Sequence, residues 1–466
     1  MHRLIFLLIA CMLSGCSVGP DYVRPDIQSP EKWGVEYKAA ADMANLAWWK
    51  QFNDPVLDNL VETAIQENLD LKNATAKVDQ YLGVLQTTRS QYFPQITAGF
   101  TPGVQRSYQT LNNTTESYQA NLAASWELDL WGKIRRSSEA AQARIIGSEA
   151  GRRAVIMSVV ANVAGNYITL RGLDRQLEIA RDTEKAYADT LKLFQLRFKH
   201  GTISQLELSQ AESNYESARQ AIPNYESLIK QQETLICLLL GRVPGPIPRG
   251  KTLDQLIPPA IPAGLPSELL ERRPDIIQAE QSLVAANAEV GVAKAAHFPK
   301  ISLSGALGYA SSDISKLFVP GYELASAGGS VIAPLLNFGQ IRGQVKQAEA
   351  LKQQALYQYR QTVLTGFKEV EDALVKTTKG KEQLDAQKRQ VVALEEYARI
   401  SRLQFEAGTS NYMQVLDADR SLFSGKLTQT QTHYNTLVSL ISVYKAMGGG
   451  WATEADKLGS KKENGK

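Results

Sequence analysis

Phe93-Pro94-Gln95-Ile96-Thr97-Ala98-Gly99-Phe100 and Phe298-Pro299-Lys300-Ile301-Ser302-Leu303-Ser304-Gly305 open alike, then alternate apolar with small polar residues. They are two copies of one element, 205 residues apart. Later matches keep an offset of 207: Leu128, Gly132, Ile134 and Arg135 recur as Leu335, Gly339, Ile341 and Arg342. Phe198, Gly201 and Thr202 recur as Phe405, Gly408 and Thr409, and Gly241 recurs as Gly448. Each copy reads strand, strand, very long helix, tight turn, helix. A repeat mixing such strands with such helices suggests a tube that crosses one membrane and reaches well beyond it.

Four segments alternate with period two. Ile96, Ala98, Phe100 and Val104 share one face of 95–105. Tyr118, Ala120, Leu122, Ala124, Trp126 and Leu128 share one face of 117–129. Ile301, Leu303, Leu307 and Tyr309 do so in 301–310, and a fourth, Gly- and Ala-rich run lies near 324–335. Pro102-Gly103 weakens the far end of the first run. Each run is as long as a tilted strand crossing a bilayer, about 9–11 residues or slightly more. A half-buried strand of a soluble sheet alternates in the same way. The opposite face, rich in hydroxyl and amide groups, favours a wet lumen. Four strands cannot close a barrel, and an open edge in lipid costs several kcal/mol per unpaired backbone group. Copies of the chain must share the wall. Two would give a barrel filled by side chains; three would leave a lumen.

No proline occurs from 104 to 222 or after Pro334. Residues 133–199 therefore read as one helix of about 100 Å at a rise of about 1.5 Å per residue. Its seam runs from Ile156 to Phe198 in alternating steps of three and four, with eleven of thirteen positions apolar, a coiled-coil pattern. The matching seam, 363–405, keeps eight of thirteen and is expected to pack less simply or face water more. The turns at Gly201-Thr202 and Gly408-Thr409 place Gly at the left-handed position, with Thr, Ser204 or Ser410 as the next cap. Return helices are expected over 203–240 and 410–447. Shorter helices are expected over 55–92 and 267–297, with Pro55 and Pro266 at their starts.

The N-terminus is a targeting segment. Arg3 precedes a short apolar core, Leu4 to Leu13, and Leu13-Ser14-Gly15-Cys16 follows. This resembles a cleaved export signal ending in a lipobox. Cys16 would then carry N-acyl and diacylglycerol chains, and Ser17 lacks the Asp that favours inner-membrane retention. An ordinary secreted chain with a chance Cys is the competing reading. Domains follow as signal 1–15, anchored segment 16–53, repeats 54–243 and 267–451, Pro-rich linker 244–266 and polar tail 452–466. Only Cys237 remains in the mature body, on an apolar helical face, as a buried thiol.

Net charge is +3, so nothing points to nucleic acid. There is no catalytic constellation: no phosphate loop, no nucleophile elbow, and no His or Cys pair at metal-ligand spacing. No cofactor is expected beyond the lipid on Cys16. Asp417, Asp419 and Arg420 stand where the first copy has Gln210, Glu212 and Ser213. They are either ordinary surface helix charge or, in a trimer, charged rings.

The chain resembles the TolC-like outer-membrane efflux factors, lipoprotein NodT/OprM branch. The resemblance rests on Cys16 to Tyr22, Trp48-Trp49, Phe52 to Leu57, the paired Phe-Pro entries, Arg272 to Ile276, Leu416-Asp417-Ala418 with Arg420, and Lys445 to Trp451. It implies a homotrimer in which four membrane strands per chain close a 12-stranded β-barrel, continuous with a 12-helix α-barrel. It also implies a periplasmic adaptor (membrane fusion) protein, an inner-membrane pump and outer-membrane lipid as partners. Asp417 falls at the family's acidic constriction and Arg420 at a neighbouring gate residue, with Asp419 adding charge where the family pattern has Gln. Gly201, Thr202, Gly408 and Thr409 fall where adaptor contacts are expected. The function implied is a passive efflux duct gated at its periplasmic end; the alternative is a periplasm-spanning structural lipoprotein without a pore.

Overall fold

The computed structural model describes residues 17–27, 29–30, 33–34, 47–107, 113–261 and 269–448. The signal segment, Cys16, Pro266, Trp451 and the tail 452–466 lie outside the described residues. The helices are α1 (Pro55–Glu67), α2 (Leu69–Ser90), α3 (Lys133–Lys199), α4 (Gln205–Leu239), α5 (Leu269–Arg272), α6 (Pro274–Ala295), α7 (Gln340–Glu406) and α8 (Tyr412–Ala446). The chain divides into two compact units, and both repeats contribute to each.

The first unit takes residues up to Ile27, Ala76–Glu149 and Gln278–Gln361. It holds a sheet of β1 (Gln95–Ser107), β2 (Asn113–Glu127), β3 (Lys300–Ser311) and β4 (Glu323–Ile332), antiparallel in the order β1-β2-β3-β4. The register sets Phe100 opposite Ala120, Leu122 opposite Leu307 and Ile301 opposite Val331. The apolar half of the alternation therefore falls on one face. That face is bare: Ile96 is 73% exposed, Val104 72% and Leu307 65%. A soluble sheet would cover it with a second layer, whereas uncovered apolar rows of this extent suit lipid. Both β1 and β4 are edges, with no further strand beside them among the described residues. β1 continues through Pro102, which sits opposite Tyr118. The weak fourth run also forms, paired along its length to β3.

In the same unit Ala140 and Ala143 of α3 meet Ala285 and Ala288 of α6, small side chains that let the helices approach closely. The segment after Cys16 lies along them. Val18 N–H donates to the Trp131 carbonyl (3.1 Å), Asn287 donates to the Pro20 carbonyl (2.8 Å) and Arg136 pairs with Asp21 (2.6 Å).

The second unit takes Gln28–Thr75, Ala150–Ile277 and Thr362–Lys466. Its core gathers Trp48, Trp49 and Phe52 with side chains of α1, α3, α4 and α8. Trp48 stacks on Tyr444 at 5.4 Å. Asp54, fully buried, caps α1 at Val56 N–H (2.9 Å) and accepts from the Tyr167 hydroxyl (2.9 Å) and Lys251 N–H (3.1 Å). The linker is thereby tied to the start of the first repeat. Cys237 is buried in this core and its thiol donates to the Gly245 carbonyl (3.4 Å). One window of α3 is apolar enough on composition to cross a bilayer. Of that window, 61% is buried inside the protein, so it is core.

Two expectations need correction. The spans 55–92 and 267–297 are not single helices. They break at Asn68 and at Arg273, which are repeat mates at the offset of 205. Asn68 Nδ2 donates to the Leu239 carbonyl (2.8 Å), and an Arg273 guanidinium N–H donates to the Ala446 carbonyl (3.0 Å). Each satisfies an open carbonyl at the end of a return helix. In the second copy α6 accordingly begins at Pro274, where a missing N–H costs nothing. Of the two alternatives for the second heptad seam, facing water more does not hold: nine of its thirteen positions are buried against eight. Gly366, Thr377 and Ser401 are buried where α3 has Val159, Leu170 and Phe194.

Candidate functional site

The two hairpin ends belong to the second unit. Gly201 and Gly408 take φ of 70° and 71°. Thr202 and Thr409 N–H groups reach back to the Arg197 and Gln404 carbonyls, both at 2.9 Å, completing Schellman closures of α3 and α7. The threonine hydroxyls bond the same carbonyls at 2.8 and 3.0 Å. A Cβ on either glycine would meet nothing within 4 Å, so both turns present open surface. Ser204 caps α4 in a capping box with Glu207. In the second hairpin the cap is Asn411, which accepts from Gln414 N–H at 3.3 Å, and not Ser410. The repeat explains this: Asn411 is the mate of Ser204, and Ser410 is the mate of Ile203.

Behind the turns, Phe194, Ala211, Tyr412, Val415 and Leu416 form a buried cluster to which both hairpins contribute. The Phe194 ring lies 4.2 Å from Tyr412 and 6.2 Å from Phe405, centre to centre.

The charged triplet lies on α8 beside this cluster, and its members point in different directions. Asp417 is exposed and accepts from the Tyr397 hydroxyl (3.1 Å). Arg420 is exposed and its Nε donates to Asn214 Oδ1 (2.6 Å), joining α8 to α4. Asp419 is only 9% exposed and pairs with Arg402 of α7 at 2.9 Å. Burial holds its carboxyl above the ordinary range, against the lowering effect of Arg402. Burial together with the Asp419 charge pushes the Tyr412 phenol up to about 12 and the Tyr187 phenol up as well. The Tyr187 hydroxyl, Asn214 Nδ2 and the Ser401 hydroxyl are buried with no hydrogen-bond partner among the described residues. A seam with unsatisfied polar groups costs less to reopen than an apolar core.

The sequence singled out the triplet and both turns but not Arg402, Tyr397 and Asn214, which hold the triplet in place. Those residues lie on other helices, and only the mirror relation of positions about the second turn hinted that Arg402 could face Asp419.

A model of the family described as outer membrane efflux protein matches residues 60–242 and 265–449, one stretch in each repeat. The cation efflux system protein CusC of Escherichia coli O157:H7 is 33% identical over 455 residues, covering 96% of this chain and 99% of that protein. The toluene efflux pump outer membrane protein TtgC of Pseudomonas putida is 34% identical, covering 95% of this chain and 94% of that protein. The crystal structure of the Neisseria gonorrhoeae MtrE outer membrane channel in its open state superposes with a TM-score of 0.85 at 30% identity, covering 94% of this chain and 99% of that one. With its open lipid-facing sheet and duplicated hairpins of TolC-like fold, the chain belongs to the outer membrane efflux protein family and is an efflux channel of the Gram-negative outer membrane.

Proposed function

We propose that three copies of this chain close a twelve-stranded barrel in the outer membrane and a twelve-helix tunnel in the periplasm, forming a passive duct in a tripartite efflux system. The observation that carries this reading is the open sheet, a bare apolar face with two unpaired edges. Copies must pair those edges for the sheet to reside in lipid, and three leave a lumen. An acylated Cys16 would add an anchor, since two or more chains hold a protein stably at a bilayer. The open turns at Gly201-Thr202 and Gly408-Thr409 would receive the periplasmic adaptor, which couples the duct to an inner-membrane pump. The relatives' names span cation and toluene efflux; we assign substrate choice to the pump.

The gate would be set by Asp417 and Arg420, the exposed members of the triplet, with the Arg420–Asn214 bond tying the second hairpin to the first. Asp419 would act from inside, through Arg402, on how α7 and α8 pack. Opening would follow when a partner biases the packed hairpins apart. The test is single-channel conductance of purified protein in planar bilayers. Asp417→Ala with Arg420→Ala is expected to conduct more than wild type. Conducting wild type with an unchanged double variant removes the gate assignment.

A further inference from the structure

Trp131 and Phe338 are repeat mates with opposite surroundings. Trp131 stacks on Phe298, ring centres 4.7 Å apart at 24°, and its indole N–H donates to the Pro299 carbonyl at 2.8 Å. Phe338 is 99% exposed and sits at φ 46°, a left-handed conformation uncommon for a bulky residue. Leu335 and Leu336 beside it are 91% and 83% exposed. The repeat also maps Phe298-Pro299, the seat of Trp131, onto Phe93-Pro94, and Phe93 is 68% exposed. The chain therefore carries an apolar knob with no seat, and the matching seat with no knob. They lie at opposite sides of the sheet, next to β4 and β1.

We propose that Phe338 of each copy seats on Phe93-Pro94 of the neighbouring copy, and that β4 pairs there with the neighbour's β1 in the register that β2 and β3 use inside one chain. This deepens the trimer reading above and rests on it. The register follows by shifting known pairs by the two repeat offsets. Ala124 opposite Gly305 becomes Val331 opposite Phe100; Leu122 opposite Leu307 becomes Gly329 opposite Pro102; Ala120 opposite Tyr309 becomes Ala327 opposite Val104. Within the chain, Val331 shares the outer face with Ile301, and Phe100 shares it with Ala120. The transferred register thus joins apolar face to apolar face, and Ser330 meets Thr101 on the other. A slip of one residue would invert every pair, so the agreement is a genuine check. The occupant of the knob is therefore a second copy of this chain.

The test uses full-length protein in membranes, with Cys237→Ala as background. Phe338→Cys combined with Phe93→Cys is oxidised and run without reductant. Covalent dimers and trimers are expected only when both cysteines are present, and none from Phe338→Cys with Val104→Cys, at the far end of β1. Should native mass measurement show an intact trimer in which 338 and 93 do not cross-link, or cross-link no better than the distant pair, the proposed contact is wrong. Absence of any trimer would instead fail the functional reading. Thermal dissociation of the trimer gives a second readout that needs no cysteine. Phe338→Ala should dissociate at lower temperature and Phe338→Trp, which restores the repeat mate's residue, at or above the wild-type temperature. Equal midpoints for wild type and Phe338→Ala would also overturn the contact.

Discussion

The first and second hairpins share a backbone and differ in chemistry. Their long helices are both 67 residues and their return helices both 35. Their turns close with the same bonds at nearly the same φ. Yet where the second hairpin pairs Arg402 with Asp419, the first has Gln195 and Glu212, which makes no such pair. Where Asn68 crosses to a carbonyl with an amide, Arg273 crosses with a guanidinium that also binds Asp275 (2.7 Å) and Glu369 (2.6 Å). Duplication copied the geometry, while the ion pairs fall at different places in the two copies: the first joins its long and return helices through Arg181 and Glu226 (2.7 Å), the second through Arg402 and Asp419.

The largest expected effect separates the two crossing side chains. Arg273→Ala removes charge-assisted bonds from a buried guanidinium and should cost roughly 2–3 kcal/mol, lowered from the buried-pair range because both carboxylates are partly solvated. Asn68→Ala loses neutral bonds and should cost about 1 kcal/mol. Denaturant midpoints of the two variants check this; equal losses would mean that the charges add nothing to the crossing.

Next come the turns, where the copies should behave alike. Gly201→Ala and Gly408→Ala each force a side chain into a left-handed conformation, costing about 1–2 kcal/mol. Open space around both glycines leaves backbone strain as the only term. Adaptor binding measured alongside stability would sharpen the comparison, since a difference in binding at equal stability would reveal which turn is the more engaged.

The smallest effect is the pH dependence that Asp419 contributes to the second hairpin. Because burial raises the folded-state value of Asp419, the folded protein holds that proton more tightly than the unfolded chain. Its contribution is fullest below the ordinary carboxylate range and is lost as pH rises through the raised value. Asp419→Asn removes this titration. Wild type should therefore lose stability relative to Asp419→Asn as pH rises through that window, followed by melting temperatures of both proteins. The opposite trend would mean that the Arg402 pair outweighs burial.

Much of this was legible from residues alone. The bounds 133–199 could be read because a long apolar seam without proline ends at a glycine. The strands could be read because lipid on one side and water on the other impose a clean alternation. The breaks at Asn68 and Arg273 were hidden: neither residue forbids a helix, and carbonyls about 170 residues away in sequence create the break. Pro274 was the available signal, since the residue before a proline is pushed out of helical geometry. Asp419 illustrates the same limit within the site. Its neighbours in sequence suggest a charged ring, and only the packing of α3, α7 and α8 turns it inward.

Native mass spectrometry of the detergent-extracted protein tests most directly whether the open sheet is one third of a wall. A single species of three chains is expected. A stable species of two chains, or a monomer that still resides in the membrane and conducts, would contradict it.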